Sequence, residues 1–247
     1  MESWVRSMAE QFWKKAGESG PFPRDLERAV NTIPLPLAII KLPNLWLSRI
    51  DDWLKTQGIP SVRSGRDRPL RGCTVAFGGK GVVFLDGSDD PYELRFTLAH
   101  EVAHFLLDYL QVRESLVSNL GPEIALVLDG RRAPAPEERI DAILAGTCLG
   151  VHTHFMDRDG DEMPGRIGTV ETRADRFALE LVAPASEVYR RLSSALRRKP
   201  HDCRVRSVTL VLTTKLGLPG SIASAYSAFL CRSWFGGPSV REWLEMS

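Results

Sequence analysis

The chain has 247 residues, of which 43% are hydrophobic and 26% are charged, and its formal net charge is +1. These values predict a soluble globular protein and give no charge-based argument for binding nucleic acid or membranes. The N-terminal segment lacks the continuous apolar core of a signal peptide, and the apolar stretch 35–40 is too short to span a bilayer. Four scattered cysteines without a CxxC pair are typical of reduced thiols, so we expect a cytoplasmic protein.

The first half of the chain begins with helices and continues with strands. Three short helices are predicted in the first 60 residues, at 1–20, 23–32 and 45–58. A polar, arginine-rich loop at 61–70 leads to two or three short strands at 71–86, with a glycine-rich turn at 78–81. This turn is interpreted as a hairpin rather than a phosphate-binding loop, because no helix follows it at the required spacing.

A core helix is predicted from Asp90 to about Tyr109. Asp90 is a favoured N-cap residue, Pro91 suits the first helical position, and Glu93 stands where its side chain can bond back to the N-cap. The residues that follow are apolar nearly all round the helix, which indicates that the helix is buried.

This helix contains an HExxH motif formed by His100, Glu101 and His104. Residues four apart lie one above the other on a helix, so the two imidazoles point the same way and could hold one zinc ion. Glu101 lies about 100° round the helix from His100. It could take a proton from a metal-bound water without being a ligand, which is the arrangement of metalloproteases.

A catalytic zinc ion usually has a third protein ligand. The extended metzincin motif is excluded, because Leu107 and Leu110 stand where it requires Gly and His. We favour Glu171, which lies on the apolar face of a predicted helix, and we expect Asp175, one turn later, to accept a hydrogen bond from a liganding histidine. The carboxylates formally available downstream are Asp108, Glu114, Glu123, Glu137, Glu138, Asp141, Glu171 and Asp175.

The segments 95–107 and 171–184, read together, resemble the ImmA/IrrE family of bacterial metallopeptidases. The resemblance implies a gluzincin-like enzyme in which His100, His104 and Glu171 bind the metal and Glu101 is the catalytic base. Zinc is the implied cofactor, one ion per chain, with manganese as the alternative metal. Several family members cleave a helix-turn-helix repressor in stress or mobile-element responses, so such a repressor is the implied protein partner.

The chain departs from the family pattern between the two motif helices, where the stretch 105–170 is longer than usual. The extra residues at about 111–168 predict an added substructure beside the cleft, including a helix at 137–151. His152 and His154 stand two apart, as ligands on one strand face would, but they could also be surface residues or an oxyanion donor. The residues considered for that donor are Tyr109, His152, His154 and His201. The Asp-rich run at 157–162 lacks the Gly and Glu of a calcium loop, and a polar surface loop is favoured.

From these patterns we predict a mainly helical α+β, zincin-like fold with a small sheet beside the HExxH helix. Three parts are expected: an N-terminal helical segment at 1–60, a peptidase core at 61–184 and C-terminal helices at 185–247. The C-terminal part should contain helices at 186–198, 205–216 and 221–230, the last two in a helix-turn-helix-like arrangement.

The predicted function is that of an intracellular zinc-dependent endopeptidase acting on a protein substrate. One alternative is a catalytically silent, metal-stabilised interaction module. Another is a DNA-binding regulator, based on a basic cluster at 197–206 and on the C-terminal helix pair. Direct DNA binding is disfavoured, because 221–230 presents mostly Ser and Ala where a recognition helix needs Arg, Lys, Asn or Gln.

Overall fold

The computed structural model describes residues 2–32, 36–59, 66–144, 151–158 and 166–237, with only the backbone described at 141–144 and 166–169. The fold is α+β and mainly helical with one small mixed sheet, which confirms the predicted class. The strands are β1 (Leu37–Leu42), β2 (Leu70–Phe77), β3 (Lys80–Asp86) and β4 (His152–Asp157). The helices are α1 (Ser3–Lys15), α2 (Leu26–Thr32), α3 (Leu47–Thr56), α4 (Pro91–His104), α5 (Gln111–Leu120), α6 (Ile124–Leu128), α7 (Pro136–Leu144), α8 (Arg166–Val182), α9 (Ala185–Arg190), α10 (His201–Leu216) and α11 (Gly220–Phe235). No helix in the described ranges has both the length and the apolar character needed to cross a membrane.

The chain forms two compact units. One consists of Met1–Asp25 together with Leu179–Ser247, and the other of Leu26–Ala178. This grouping by contacts is not a test of the three-part division at residues 60 and 184, which stays a prediction. The second unit contains the sheet, the HExxH helix and Glu171.

The four strands lie in the order β1-β3-β2-β4, with β1 parallel to β3 and β2 antiparallel to both of its neighbours. Alternate residues of a strand point to opposite faces of a sheet. On one face, the buried side chains of β2 and β3 pack with the apolar residues around α3, and Phe155 of β4 joins this cluster. The members of the cluster are Leu45, Leu47, Ile50, Leu54, Leu70, Cys73, Val75, Val82 and Phe84.

The other face of the sheet carries small residues and packs against α4 and the turn that follows it. A Cβ atom at Gly81 would lie 2.5 Å from Phe105 Cε2, and one at Gly72 would lie 2.6 Å from Thr97 Cγ2. Both glycines are therefore places where the helix approaches the sheet too closely for any side chain. This close approach brings Glu101 against β2.

The helix that begins at Asp90 extends beyond its predicted end. Asp90 accepts a hydrogen bond from the Tyr92 backbone N–H at 2.8 Å, as predicted, whereas Glu93 is paired with Arg71 at 3.3 Å. After His104 the chain passes into a π-helical segment, Phe105–Leu110, and continues as α5 to Leu120, where Gly121 has a positive φ of 87°. The predicted end near Tyr109 is wrong, because no helix-breaking residue occurs before Gly121.

The stretch between the motif helices contains α5, α6, α7 and strand β4. The predicted helix at 137–151 corresponds to α7; its residues 145–150 lie outside the described residues, and Val151 is not helical. The predicted polar loop at 157–162 also falls largely outside them. The second motif helix, α8, begins at Arg166, so Glu171 lies within it and is not a first-turn residue as its predicted start implied.

In its described part, the first unit contains helices joined by turns and loops, and no strand. The indole N–H of Trp13 in α1 donates to the carbonyl of Leu181 at 3.1 Å. The predicted helix at 186–198 is interrupted: α9 ends at Arg190, and a separate 3-10 helix follows at Ser194–Arg198. Ser193 causes a new start there, because its hydroxyl accepts from the Ala195 backbone N–H at 3.3 Å. At the C-terminal end, α10 and α11 are joined by a short turn that begins with Gly217 in the left-handed conformation, and both helices are longer than the predicted 205–216 and 221–230. The helix-turn-helix-like arrangement stays a prediction.

Candidate metal centre

The HExxH helix places three ionisable side chains in the interior of the second unit. His100, Glu101 and His104 are 3%, 0% and 1% exposed. Buried polar groups are costly unless they are paired or bound to a metal. Their surroundings therefore decide what the motif can do.

Three donor atoms from α4 and α8 converge. The two Nε2 atoms of His100 and His104 are 3.0 Å apart, and Glu171 Oε2 is 3.3 Å from the first and 3.5 Å from the second. Ligand bonds of about 2.1 Å in a tetrahedral site place neighbouring donor atoms about 3.4 Å apart. The three atoms thus have the spacing of one triangular face of a tetrahedral metal site.

The opposite ring nitrogens of both histidines are held by carboxylates. His100 Nδ1 is 2.9 Å from Asp175 Oδ1, and His104 Nδ1 is 2.7 Å from Asp108 Oδ2. Asp108 is in turn paired with Arg173 of α8. A carboxylate at Nδ1 favours the tautomer with the proton on that atom, which leaves the Nε2 lone pair free for a metal.

The π-helical segment lies directly after the second histidine. Asp108 is in this segment, so the residue that holds His104 comes from the distorted turn itself. Single turns of π-helix are frequent at functional sites. The sequence presented Asp108 only as one of several alternative ligands, whereas its contact with His104 gives it a supporting position.

Glu101 is fixed by the sheet. Its Oε2 atom accepts a hydrogen bond from Thr74 Oγ1 at 2.7 Å and lies 3.1 Å from His154 Nδ1. A Cβ atom at residue 72 would come within 3.0 Å of Glu101 Oε1, so Gly72 leaves the space that this oxygen needs. Burial alone would raise the pKa of Glu101, but the neighbouring His154, His100 and His104 lower it, which favours the carboxylate form.

His154 belongs to the same cluster, although the sequence analysis left its role open. Its Nε2 atom lies 3.2 Å from Glu171 Oε1, and its ring stacks on His104 with centroids 3.5 Å apart and planes at 14°. Donor atoms of His100, His104, His154 and Glu171 all lie within 4.8 Å of one another, so this group could hold a metal ion. The signal in the sequence was the pair of histidines two apart. This pair alone did not show which histidine faces the site. The pairing of β4 with β2 places His154 opposite Thr74 and therefore beside Glu101.

The electrostatics of the cluster favour a cation. Burial lowers the pKa of an imidazole, but Asp175, Glu171 and Glu101 outweigh it at His100 and raise its pKa to about 9. Burial acts in the same direction at His154, and Glu101 and Glu171 raise the pKa of that residue to about 10. The pKa of Glu171 is held far below its usual range by the three histidines, against the effect of burial. Carboxylates that stabilise imidazolium ions so strongly would also stabilise a divalent metal.

The other residues considered from the sequence have different places. Tyr109 accepts a hydrogen bond from the Gly79 backbone N–H at 2.7 Å, and His152 lies beside it with ring centroids 6.1 Å apart. His201 begins α10 in the first unit. Glu138 is paired with Arg132, and the Asp141 side chain is outside the described part. Glu114, Glu123 and Glu137 are absent from the metal-competent group, which was sought among the described residues only.

One comparison with known proteins bears on this site. Residues 61–123 match the family model Peptidase M78, described as the IrrE N-terminal-like domain. The matched segment contains β2, β3 and the complete HExxH helix, and it ends before β4 and α8. No curated protein matched the chain. The match over residues 61–123 confirms the resemblance to the ImmA/IrrE family of metallopeptidases.

Proposed function

We propose that the protein is a zinc-dependent endopeptidase that hydrolyses a peptide bond in a protein substrate. The observation that carries the proposal is the triangle of His100 Nε2, His104 Nε2 and Glu171 Oε2, with sides of 3.0, 3.3 and 3.5 Å. The carboxylates at both Nδ1 atoms support it, because they prepare the imidazoles for a metal. The family match supports the same class of enzyme.

His100, His104 and Glu171 would hold the metal. Two imidazoles and one carboxylate are the donor set of many catalytic zinc sites, and they leave a coordination position open. A zinc ion bound there would act as a Lewis acid, polarising a peptide carbonyl and lowering the pKa of water. Manganese is the alternative metal, and the imidazole donors favour zinc over it.

Glu101 would be the general base and then the general acid. Its lowered pKa keeps the carboxylate ionised near neutral pH, so that it can accept a proton from the attacking water. The protonated Glu101 would then donate this proton to the nitrogen of the leaving amine. Thr74 donates to Oε2, and His154 Nδ1 lies 3.3 Å from Oε1.

The substrate class and the compartment are further parts of the proposal. The resemblance to ImmA/IrrE proteins supports a regulatory substrate, such as a helix-turn-helix repressor of a stress or mobile-element response. The thiols of Cys73, Cys203 and Cys231 are free, which agrees with a reducing cytoplasm. A DNA-binding role gains no support from Arg204 of the basic cluster, which is buried with its guanidinium 5.3 Å from the ring centroid of Phe235.

The first test is the metal content of the purified protein beside the Glu171→Ala variant, measured by elemental analysis. We expect about one zinc per chain in the wild type and clearly less in the variant. Glu187→Ala, which removes a carboxylate from α9, is the matched control and should retain the metal. Equal zinc in wild type and Glu171→Ala would move the third ligand elsewhere, and failure of all three proteins to bind added zinc would refute a metal site.

The second test is peptide hydrolysis. Wild type and Glu101→Gln, both loaded with zinc, are compared on a quenched-fluorescence peptide library. Glutamine cannot accept the proton, so the variant should bind zinc normally and lose cleavage by at least about 100-fold. Cleavage that persists in Glu101→Gln would refute the mechanism, and a zinc-loaded wild type that cuts neither peptides nor repressor proteins would favour an interaction module.

A further inference from the structure

His154 lies between the proposed base and the proposed third ligand. Its Nδ1 atom is 3.1 Å from Glu101 Oε2, and its Nε2 atom is 3.2 Å from Glu171 Oε1. The residue comes from β4, in the long stretch between the motif helices and outside the segment that matches the family model. Both ring nitrogens of His154 therefore contact carboxylates of the site, which indicates a role for this side chain within it.

The stacking of His154 on His104 argues against the two residues being ligands of one metal. Two imidazoles bound to one tetrahedral metal through Nε2 have ring centroids about 5 Å apart, given metal–nitrogen bonds of about 2.1 Å. The centroids of His100 and His104 are 4.7 Å apart, which fits that arrangement. Those of His104 and His154 are only 3.5 Å apart with nearly parallel rings, so their lone pairs run side by side and do not converge.

The contact with Glu101 has a structural basis in the register of the sheet. Thr74 of β2 and His154 of β4 are directly paired, so their side chains emerge on the same face, towards α4. Thr74 Oγ1 lies 2.7 Å from Glu101 Oε2, and His154 Nδ1 lies 3.1 Å from the same oxygen and 3.3 Å from Oε1. Two donors from two strands restrict rotation of the carboxylate about its last bond, which one donor alone would permit.

We propose that His154 is a positioning residue for Glu101: its Nδ1–H, together with the Thr74 hydroxyl, fixes the orientation of the carboxylate that moves the proton. This assignment rests on the proposed peptidase function. It gives the stretch between the motif helices a role inside the site, since β4 delivers a group that the matched segment lacks. A misoriented base lowers the rate of proton transfer without weakening the binding of substrate or metal.

The proposal is tested with His154→Asn, His154→Phe and His154→Ala. The asparagine amide nitrogen lies near the position of Nδ1 and keeps a donor to Glu101, whereas phenylalanine keeps the stack on His104 and has no donor. Thr153→Ala, at the preceding residue of β4 and on the opposite face of the strand, is the matched control. All proteins are loaded with Co²⁺, whose visible absorption reports the ligand set. They are titrated with acetohydroxamate, a metal-binding probe whose hydroxyl proton the proposed base Glu101 would accept.

We expect every variant to bind one Co²⁺ with an unchanged spectrum. Acetohydroxamate affinity and kcat on the peptide library should fall about 10- to 100-fold in His154→Ala and His154→Phe, with KM within about 2-fold of wild type. His154→Asn should recover most of the loss, and Thr153→Ala should match the wild type.

Three results would overturn the assignment. Loss of Co²⁺ affinity or a changed spectrum in His154→Ala would make His154 a ligand. A loss in His154→Asn as large as that in His154→Ala, with His154→Phe near wild type, would show that the stacked ring, and not the donor, matters. Wild-type values in His154→Ala, measured while Glu101→Gln is inactive, would refute the positioning role and leave the peptidase proposal intact. The hydroxamate titration needs no turnover, so a protein that cuts no peptide still tests the inference.

Discussion

At the scale of single residues, the Nδ1 atoms of the two motif histidines are each held by a carboxylate, and the two carboxylates come from different elements. Asp175 of α8 holds His100, and Asp108 of the π-helical segment holds His104. Hydrogen bonds of this kind orient the ring and increase the basicity of the nitrogen that faces the metal. Metal affinity at the proposed site would therefore depend on residues that do not touch the metal.

Replacing Asp175 with alanine should weaken zinc binding by about 10- to 100-fold, because His100 loses the acceptor at Nδ1. The protein should remain folded, since Asp175 is half-exposed. Competition with a fluorescent zinc chelator measures the affinity. Asp202→Ala in α10 removes a carboxylate from the other unit and serves as control. Unchanged affinity in Asp175→Ala would show that its contact with His100 has no role in metal binding.

Metal binding should also depend on pH. In the metal-free protein the pKa of His100 is raised to about 9, so the ring is protonated at pH 7 and must lose about one proton before Nε2 can bind zinc. Zinc affinity should therefore rise about 10-fold per pH unit between pH 7 and about 9 and then level off. Calorimetry in buffers of different ionisation enthalpy measures the proton release; no release at pH 7 would contradict the expected charge on His100.

The raised pKa of His100 has the opposite effect on the stability of the metal-free protein, which should fall as the pH rises. A raised pKa in the folded state means that folding favours the protonated imidazole. The stabilisation from His100 and His154 is fully present below their unfolded pKa of about 6.5. It is lost as the pH rises through about 9 and about 10. Alkaline pH thus weakens the metal-free fold while strengthening its affinity for zinc.

At the scale of elements, the close approach of α4 to the sheet depends on two glycines. We expect Gly72→Ala and Gly81→Ala each to destabilise the protein by about 1–3 kcal/mol, because the added Cβ atoms would meet Thr97 and Phe105 at 2.6 and 2.5 Å. Only the methyl group at residue 72 also crowds Glu101, so only Gly72→Ala should lower kcat in the fraction that is folded. Urea denaturation gives the stabilities and the peptide library gives kcat. Equal effects of the two substitutions on kcat would show that the contact between residue 72 and Glu101 does not influence catalysis.

The elements also show why part of the site could be predicted from the sequence. The HExxH helix is specified locally: its cap, its apolar surface and the four-residue spacing of its histidines are all readable in one segment. Glu171 was favoured because a carboxylate on an apolar helix face needs a partner, and its Oε2 atom indeed lies beside both histidines.

His154 and Asp108 could not be assigned in the same way. The contact of His154 with Glu101 depends on the pairing of β4 with β2, which is long-range and left no local signal beyond two histidines at a strand spacing. Asp108 lies in a π-helical turn, and its residues have no distinctive pattern. Hydrophobic periodicity predicts a continuous helix there, but it does not distinguish an α-helical turn from a π-helical turn.

At the scale of the whole molecule, zinc should contribute to the thermal stability. A ligand that binds only the folded state at about 1,000 times its Kd adds about 4 kcal/mol, which for a chain of this size raises Tm by about 10 °C. Differential scanning calorimetry with zinc and with a chelator should show this difference in wild type and in Glu101→Gln. Glu171→Ala should show little of it, and a full shift in that variant would place the metal elsewhere.

The two ends of the chain contribute to one compact unit, and the intervening residues 26–178 form the other. The sequence favoured domain boundaries at residues 60 and 184, because predicted loops and prolines occur there. Sequence signals of this kind mark local breaks, whereas a unit formed by distant segments depends on contacts between them. Trp13 donating to the Leu181 carbonyl is such a contact, and no feature near either residue predicts it.

The proposed ligands stand on either side of the long stretch 105–170, and this has a topological consequence. A metal joining His104 to Glu171 would be a cross-link that closes a large loop, much as a disulfide does. By the chain-entropy model, such a closure removes about 4 kcal/mol of conformational freedom from the unfolded state. The loop closed in this way includes β4, so the ion that serves catalysis would also tether the strand that carries His154.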